Sequence, residues 1–152
     1  MDTLKLLDNM TMNKPCPLCL EVGGELVAQN EWLRIIFSDE PELPGFCRII
    51  WQKHIAEMSD LSQEERNMLW TVLHQVEEVI REVMQPEKIN LASLGNMVPH
   101  LHWHVVPRYQ ADIYFPGSPW SAPQRASDSK HLQLLQERLP QLKKRLQTIL
   151  AS

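Results

Sequence analysis

Residues 98–106 read Val-Pro-His-Leu-His-Trp-His-Val-Val, and they carry the strongest structural signal in the chain. Its histidines, His100, His102 and His104, stand two residues apart with apolar residues between them. Successive side chains of a β-strand point to opposite faces, so the pattern predicts a strand with three imidazoles on one face and an apolar row on the other. At about 3.3 Å per residue, neighbouring imidazoles would lie about 6.6 Å apart and could serve one small charged group together.

Four further strands are predicted from apolar or alternating runs bounded by turn residues, at residues 25–29, 32–37, 46–51 and 88–94. The turn Asn30-Glu31 makes the first two a hairpin. A tight turn at Gly95-Asn96 makes the fourth antiparallel to the strand at 98–106.

Two helices complete the prediction. Ser62 with Glu65 three residues later is a capping-box signature, and apolar residues recur at helical spacing through 62–84. Leucines three and four residues apart predict a second helix over 128–152, packed on the domain rather than forming a coiled coil. Pro140 is expected to kink or split that helix.

These elements predict an α+β fold, in which a five-stranded antiparallel sheet carries the long helix and the C-terminal helix. At 152 residues the chain is long enough for one domain with its own core. We expect residues 1–152 to divide into an arm or short helix at 1–15, a core at about 16–108, an aromatic and Pro-rich loop at 109–127, and the helix.

Composition excludes some partners. The formal charge of −4 argues against binding nucleic acid through its backbone, although a local pocket for a small anion remains compatible with it. No apolar run approaches the ~20 residues that span a bilayer, and Met1 to Lys5 do not resemble a secretory signal, so we expect a cytoplasmic protein without a membrane partner. Three cysteines do not make a disulfide framework and point to metal, redox chemistry or neither.

The histidine row has three interpretations from the residues alone. The first is a hydrogen-bonded polar face with a purely structural role. The second is a metal site, since histidines two apart on a strand can share a zinc ion. The third is a site of phosphoryl or nucleotidyl transfer. In the last case a neutral imidazole attacks phosphorus while its neighbours orient it, supply protons and hold the phosphate.

The stretch His100-Leu-His102-Trp-His104-Val-Val resembles the motif of the histidine triad (HIT) family, in which three histidines alternate with apolar residues. Residues 46–55, FCRIIWQKHI, resemble the family's strand that ends in Lys-His-Ile, and Cys16-Pro-Leu-Cys19 resembles the Cys-x-x-Cys of its bacterial members. The resemblance covers about residues 16–108. It implies a HIT-like fold, a homodimer, and hydrolysis or transfer at the α-phosphate of a purine nucleotide, such as a phosphoramidate or dinucleoside polyphosphate, through a nucleotidyl-histidine.

The resemblance also implies roles for single residues. His102 would be the nucleophile, His104 would orient and bind phosphate, and His100 would help a proton reach the leaving group. Asn90, Gly95, Asn96 and Met97 would form the ribose- and phosphate-binding segment, and Ser38 and Asp39 the loop that approaches the ribose. Met97 departs from the family, which commonly has a serine or threonine there, because it offers no hydroxyl to a phosphate.

Cys16 and Cys19 form half of a zinc site, which His54 and His100 would complete as the resemblance implies. Catalysis in the family needs no cofactor, so this zinc would be structural. Two alternatives stay open: a nucleotide-binding regulator without turnover that acts through partners on its C-terminal helix, which Met97 favours, and a zinc-stabilised interaction domain.

Several other residues of types that often serve in active sites also have purely structural interpretations. We expect Cys47 in the core, His74 and His131 at the surface, and Arg108 either paired or in contact with a phosphate. Tyr114, Phe115 and Trp120 would wall a base pocket or pack within their loop.

Overall fold

A computed structural model describes residues 15–151, so nearly all of the arm predicted at 1–15 lies outside the described residues. The elements in chain order are α1 (Pro17–Leu20), β1 (Glu25–Gln29), β2 (Leu33–Phe37), β3 (Cys47–Trp51), a 3-10 turn (Met58–Asp60), α2 (Gln63–Met84), β4 (Lys88–Ala92), β5 (His102–Arg108) and α3 (Ser129–Leu150). Within the described range, no helix combines the length and the apolar character that crossing a membrane requires.

All five strands form one antiparallel sheet in the order β1-β2-β3-β5-β4, which confirms the predicted fold class. The β1–β2 hairpin turns where the sequence predicts it. There the Asn30 side-chain oxygen accepts hydrogen bonds from the backbone N–H of Trp32 and of Leu33, both at 2.9 Å. β2 and β3 each begin one residue later than predicted.

The two faces of the sheet differ in polarity. Odd-numbered residues of the central strands, such as Ile35, Ile49 and Val105, are fully buried in the main core. That core includes the apolar stripe of α2 and leucines of α3. Even-numbered residues of β3 and β5 face the other way, and they include His102 and His104. One face therefore packs on the main core, whereas the other carries the two histidines between two small apolar clusters.

Helix α2 begins as predicted. The Ser62 hydroxyl accepts from the N–H of Glu65, and the Glu65 carboxylate accepts from the N–H of Ser62, each at 3.1 Å. The helix ends at Met84, after which Gln85 adopts a left-handed conformation (φ 50°) and Pro86 follows. A residue in that conformation followed by proline cannot continue a helix.

The predicted tight turn at Gly95-Asn96 is wrong, as is the start of the last strand at residue 98. β4 ends at Ala92, and β5 begins at His102 and runs on to Arg108. Leu101 pairs elsewhere: its N–H donates to the Ile55 carbonyl at 2.7 Å and its carbonyl accepts from Trp51 at 3.1 Å. Pro99 has no N–H to give a ladder, so residues 93–101 form a longer connection.

Helix α3 is continuous through Pro140, so the predicted split is wrong. Pro140 lies on the exposed side, where water can bond the carbonyl that loses its helical partner. On the other side Leu135, Leu142 and Leu146 are buried in the core shared with α2, as the leucine spacing predicts.

Candidate functional site

The polar face of the sheet borders a cavity of about 510 Å³. Its walls come from α1 and the segment after it (Pro17, Leu18, Gly23), β3 (Arg48), the β4–β5 connection (residues 94–98), β5 (His102, His104) and the loop before α3 (Trp120). Two of the three histidines of the motif therefore share one cavity. Their ring centroids lie 5.0 Å apart.

The tautomer of His102 follows from its hydrogen bond. Its Nδ1 lies 2.6 Å from the carbonyl oxygen of His100. A carbonyl only accepts, so Nδ1 must carry the proton, and Nε2 of the neutral ring keeps its lone pair. His102 is half-buried in the cavity wall. In this tautomer Nε2 is the nitrogen that can attack an electrophile.

His104 lies deeper, with only 4% of its surface exposed. Edge-to-face ring contacts hold it between Phe46 at 5.6 Å and Trp120 at 5.0 Å. Burial, assisted by the charges of His102 and Arg48, lowers the pKa of His104 from 6.5 to about 4. His104 is therefore neutral at physiological pH.

His100 does not line this cavity. It is fully buried, and its Nε2 donates to the carbonyl oxygen of Trp51 at 2.6 Å. Its Nδ1 faces His54, at 3.3 Å, together with the two cysteines of the Cys-x-x-Cys. The structure therefore places the first histidine of the motif in a neighbouring cluster, and only its backbone touches His102.

That cluster consists of Cys16, Cys19, His54 and His100, whose ligand atoms all lie within 4.8 Å of one another. The Sγ of Cys16 is 3.4 Å from Nδ1 of His100, and the Sγ of Cys19 is 3.3 Å from Nδ1 of His54. Bond lengths of about 2.0–2.3 Å around a tetrahedral zinc ion imply ligand separations of about 3.3–3.8 Å. The predicted set comes together at a spacing that suits zinc.

Protonation also suits a metal here. Because Nε2 of His100 donates to Trp51, its Nδ1 is bare and points at the other three ligands. Burial lowers the pKa of His100, which favours the neutral ring that metal binding requires. A second hydrogen bond that fixes the tautomer of a ligand is typical of zinc histidines.

Arg34 anchors the cysteine-bearing segment to the sheet, a role that no local sequence pattern indicates. Its guanidinium donates to the carbonyl oxygens of Leu18 (2.7 Å), Val22 (2.9 Å) and Glu21 (3.1 Å) and to the side chain of Gln52 (2.8 Å). Carbonyl groups at the end of a helix have no hydrogen-bond donor within the helix, and here the buried Arg34 on β2 provides the missing donors. Cys16 and Cys19 are thereby held beside the histidines.

Asn90 and Arg108 belong to a separate network. Arg108 is 2% exposed and forms a two-pronged ion pair with Asp112 at 3.0 and 3.1 Å. Its remaining nitrogen donates to the side-chain oxygen of Asn90 at 2.8 Å. Burial alone would raise the pKa of Asp112, but hydrogen bonds from Arg108 and Tyr109 lower it below its usual value. Neither Asn90 nor Arg108 lines the histidine cavity.

The predicted nucleotide-binding residues divide into two groups. Gly95, Asn96 and Met97 line the cavity, and Gly95 has a positive φ of 76°, which favours glycine. Met97 is 96% exposed at the rim. Ser38 and Asp39 are not among the described residues of the cavity wall.

Of the aromatic residues in the loop before α3, Trp120 lines the cavity. Tyr114 instead packs against the small cluster of Leu43, Phe46 and Val106, and the Phe115 ring lies 6.0 Å from the guanidinium carbon of Arg108. The prediction of an aromatic wall therefore applies to one residue of the three.

The remaining single residues agree with expectation in two cases of three. Cys47 is fully buried, and burial raises its pKa far above the usual value. His74 is exposed and pairs with Glu78. His131 is half-buried, with its ring 4.9 Å from that of Tyr109, rather than free at the surface.

Arg48 lines the cavity and did not emerge from the sequence. It lies on β3 directly opposite His104, and its Nε is buried without a hydrogen-bond partner in the described chain. Burial lowers its pKa, against the attraction of Glu40. Alternation along β3 could have placed Arg48 on the histidine face, but only once the register with β5 was known.

The family model of the HIT domain matches residues 20–111, more than half of the chain. The chain is a member of the HIT-domain family. Among known structures, a histidine triad protein of Bradyrhizobium japonicum superposes on this HIT-domain protein with a TM-score of 0.69 at 21% identity, covering 84% of this chain and 93% of that one. At this identity the likeness shows the fold alone.

Two relatives with named activities match this chain over only about half of their own length. A bis(5'-nucleosyl)-tetraphosphatase (asymmetrical) of Schizosaccharomyces pombe is 29% identical over 97 residues, 60% of this chain and 53% of that protein. An AP-4-A phosphorylase of Mycobacterium tuberculosis is 27% identical over 105 residues, 65% and 54% respectively. The HIT-domain chain thus spans about half the length of these relatives. A Zn-bound histidine triad family protein of Mycobacterium smegmatis shares the fold (TM-score 0.50, 21% identity, 88% and 91% covered).

Proposed function

We propose that this HIT-domain protein hydrolyses or transfers a nucleoside monophosphate group, with His102 as the nucleophile at the α-phosphate of a purine nucleotide. The observation that carries the proposal is the bond from Nδ1–H of His102 to the His100 carbonyl, which leaves Nε2 bare toward the cavity. An imidazole oriented in this way at the wall of a 510 Å³ cavity suits attack on phosphorus.

The reaction has two steps. In the first, the Nε2 lone pair of His102 forms a bond to phosphorus, the bond to the leaving oxygen or nitrogen breaks, and the leaving group takes up a proton from solvent. In the second, a water oxygen attacks the same phosphorus, the N–P bond breaks, and the water proton passes to solvent. Another acceptor in place of water would make the reaction a transfer.

His104 and His100 support His102 in different ways. His104 is neutral beside it and contributes a phosphate-binding ring. We assign to His100 a positioning role through its backbone carbonyl rather than proton transfer, because its buried ring has both nitrogens engaged. The residues that approach the rest of the nucleotide are Gly95, Asn96 and Met97 of the connection, with Trp120 opposite.

The relatives support a dinucleoside polyphosphate as the substrate class, since two of them are named for such compounds. A phosphoramidate is the alternative leaving group. Because the chain spans about half of those proteins, their activities come to it as part of this proposal.

We further propose a structural zinc ion held by Cys16, Cys19, His54 and His100, a set that fits the group in spacing and protonation. Zinc would tie the N-terminal segment to the histidine strand and would supply folding free energy. The Zn-bound relative from Mycobacterium smegmatis supports the idea.

A homodimer is also part of the proposal. β4 is an edge strand in the described sheet, and its Leu91 is exposed. Edge strands that carry exposed apolar side chains are prone to pair with a second copy. Sedimentation equilibrium at twice the monomer mass is the expected result, and a monomer at micromolar concentration would refute this part.

The test of function compares His102→Ala with His74→Ala, an exposed histidine on α2 outside the cavity. Turnover of dinucleoside tetraphosphate and of an adenosine phosphoramidate should fall at least 1,000-fold in the first variant, because covalent chemistry is lost, on the order of the losses seen for single nucleophiles. It should stay within twofold in the second.

A nucleotide-binding regulator without turnover is the second candidate, favoured by Met97, which brings no hydroxyl to the cavity rim. Tight nucleotide binding by a wild-type protein that turns over neither compound would select it.

A further inference from the structure

Three arginines lie on the histidine face of the sheet: Arg34, Arg48 and Arg108. Two of them are fully used within the protein, since Arg34 bonds three carbonyls and a glutamine and Arg108 bonds Asp112 and Asn90. Arg48 differs. Within residues 15–151 its guanidinium has no hydrogen bond and no ion pair.

An arginine in that state costs free energy. The guanidinium stays protonated at all physiological pH values, and Arg48 is half-buried with its Nε shielded from water. Its ring neighbour Phe46, 5.9 Å away, compensates little of the lost hydration, and Glu40 attracts it only from beyond ion-pair distance. A partly desolvated cation that faces a cavity and has no internal partner is the arrangement expected where a ligand supplies the anion.

Arg48 is also the only lysine or arginine among the described residues that line the cavity. His104 adds no charge, because burial keeps its ring neutral. Arg48 therefore supplies the permanent positive charge of the cavity wall.

The register places Arg48 beside the reacting position rather than on it. The cross-strand partner of His102 is Ile50, and Arg48 is opposite His104, so Arg48 and His102 are diagonal neighbours. Such positions lie about 7–8 Å apart, a separation that two linked phosphate groups can bridge when one contacts each side chain. The planar fork of arginine matches the oxygens of a phosphate.

We propose that Arg48 binds a second phosphate group of the substrate, next to the one that His102 attacks. The protein would thereby select nucleotides with two or more linked phosphates over phosphoramidates with one. The inference rests on the proposed nucleotide site, but it concerns binding and can be tested without turnover.

The test measures the dissociation constants of AMP, ADP and ATP by calorimetry. The wild type should bind ADP about 10–100-fold more tightly than AMP, which is the range for charge-assisted hydrogen bonds. In Arg48→Met the ratio should fall to about one while AMP affinity changes less than threefold. Arg48→Lys, which keeps the charge without the fork, should retain part of the preference.

Arg145→Met is the matched control, since Arg145 is an exposed arginine paired with Glu82 on the helical side. It should keep the wild-type ratio. The midpoint of thermal unfolding of Arg48→Met should equal or exceed that of the wild type, because an unpaired charge is removed, so a lost preference cannot be attributed to misfolding.

Equal losses for AMP and ADP would assign Arg48 to the attacked phosphate and overturn the inference. So would a wild type that binds AMP and ADP equally or binds neither. If the ADP preference depends on Arg48 but the wild type turns over no substrate, the inference stands and the proposed hydrolase fails. With turnover, Arg48→Met should raise KM for dinucleoside tetraphosphate at least tenfold and leave that for the phosphoramidate within threefold.

Discussion

The Nδ1–H of His102 donates to the backbone carbonyl of His100 at 2.6 Å, while the ring of His100 lies among Cys16, Cys19 and His54. His100 therefore contacts both the proposed nucleophile and the candidate zinc site. Its backbone carbonyl accepts the hydrogen bond from His102, and its ring lies among the candidate zinc ligands. Any displacement of His100 should reach His102 directly.

Loss of the cysteine ligands should lower metal content and stability together. Cys19→Ser should reduce zinc from one equivalent to well below half, because a neutral hydroxyl is a poor zinc ligand, and should lower the unfolding temperature by several degrees. Cys47→Ala removes a buried thiol outside the cluster and should keep one equivalent. Metal analysis after dialysis under reducing conditions makes the comparison. A wild type without stoichiometric metal would refute the zinc site.

Stability should decline in acid partly through His104. Burial lowers its folded pKa from 6.5 to about 4, so between these values the unfolded chain binds a proton that the folded chain does not. Folding free energy from this source is fully present above pH 6.5 and is lost as pH falls toward 4, by up to about 3 kcal/mol.

Denaturant unfolding of wild type and His104→Asn at pH 7.0 and 4.5 measures this effect. The variant should lose less stability than the wild type over the interval, since asparagine does not titrate. His74→Asn, at an exposed position, should behave as the wild type does. An equal loss in wild type and His104→Asn would show that the ring is not held neutral.

Arg108→Met should destabilise the fold without acting on the cavity. Removing the guanidinium leaves the fully buried carboxylate of Asp112 without its counter-charge, which costs about 3–5 kcal/mol. Arg145→Met breaks an exposed pair and should cost about 0–1 kcal/mol. Chemical denaturation gives both values, and a loss below 1 kcal/mol for Arg108→Met would contradict the buried network.

Much of the fold is accessible from the sequence because its signals are local. The capping box at Ser62, the turn at Asn30 and the strand alternation all act within a few residues. The strand with the histidines was misplaced at its start because Leu101 pairs with Ile55, 46 residues earlier in the chain. No short-range pattern contains that contact.

The residues of the site also divide into those with a local sequence signal and those positioned by contacts with distant segments. The motif identifies His102 and His104, and resemblance to the family brings together the four candidate metal ligands. The sequence does not point to Arg48 or Arg34, because the pattern of a strand does not show whether an arginine on it has hydrogen-bond partners. Their difference lies in partners contributed by distant segments: Arg34 bonds carbonyls of α1 and of the segment after it, and Arg48 has no hydrogen-bond partner in the described chain.

The central claim is that His102 becomes nucleotidylated, and trapping the intermediate tests it most directly. Wild type and His102→Ala are mixed with a dinucleoside tetraphosphate, quenched in base within one turnover, digested and analysed by mass spectrometry. We expect a nucleoside monophosphate adduct on the peptide that contains His102 in the wild type, and none in the variant. An adduct on another residue, or rapid wild-type turnover without any adduct, would contradict the account.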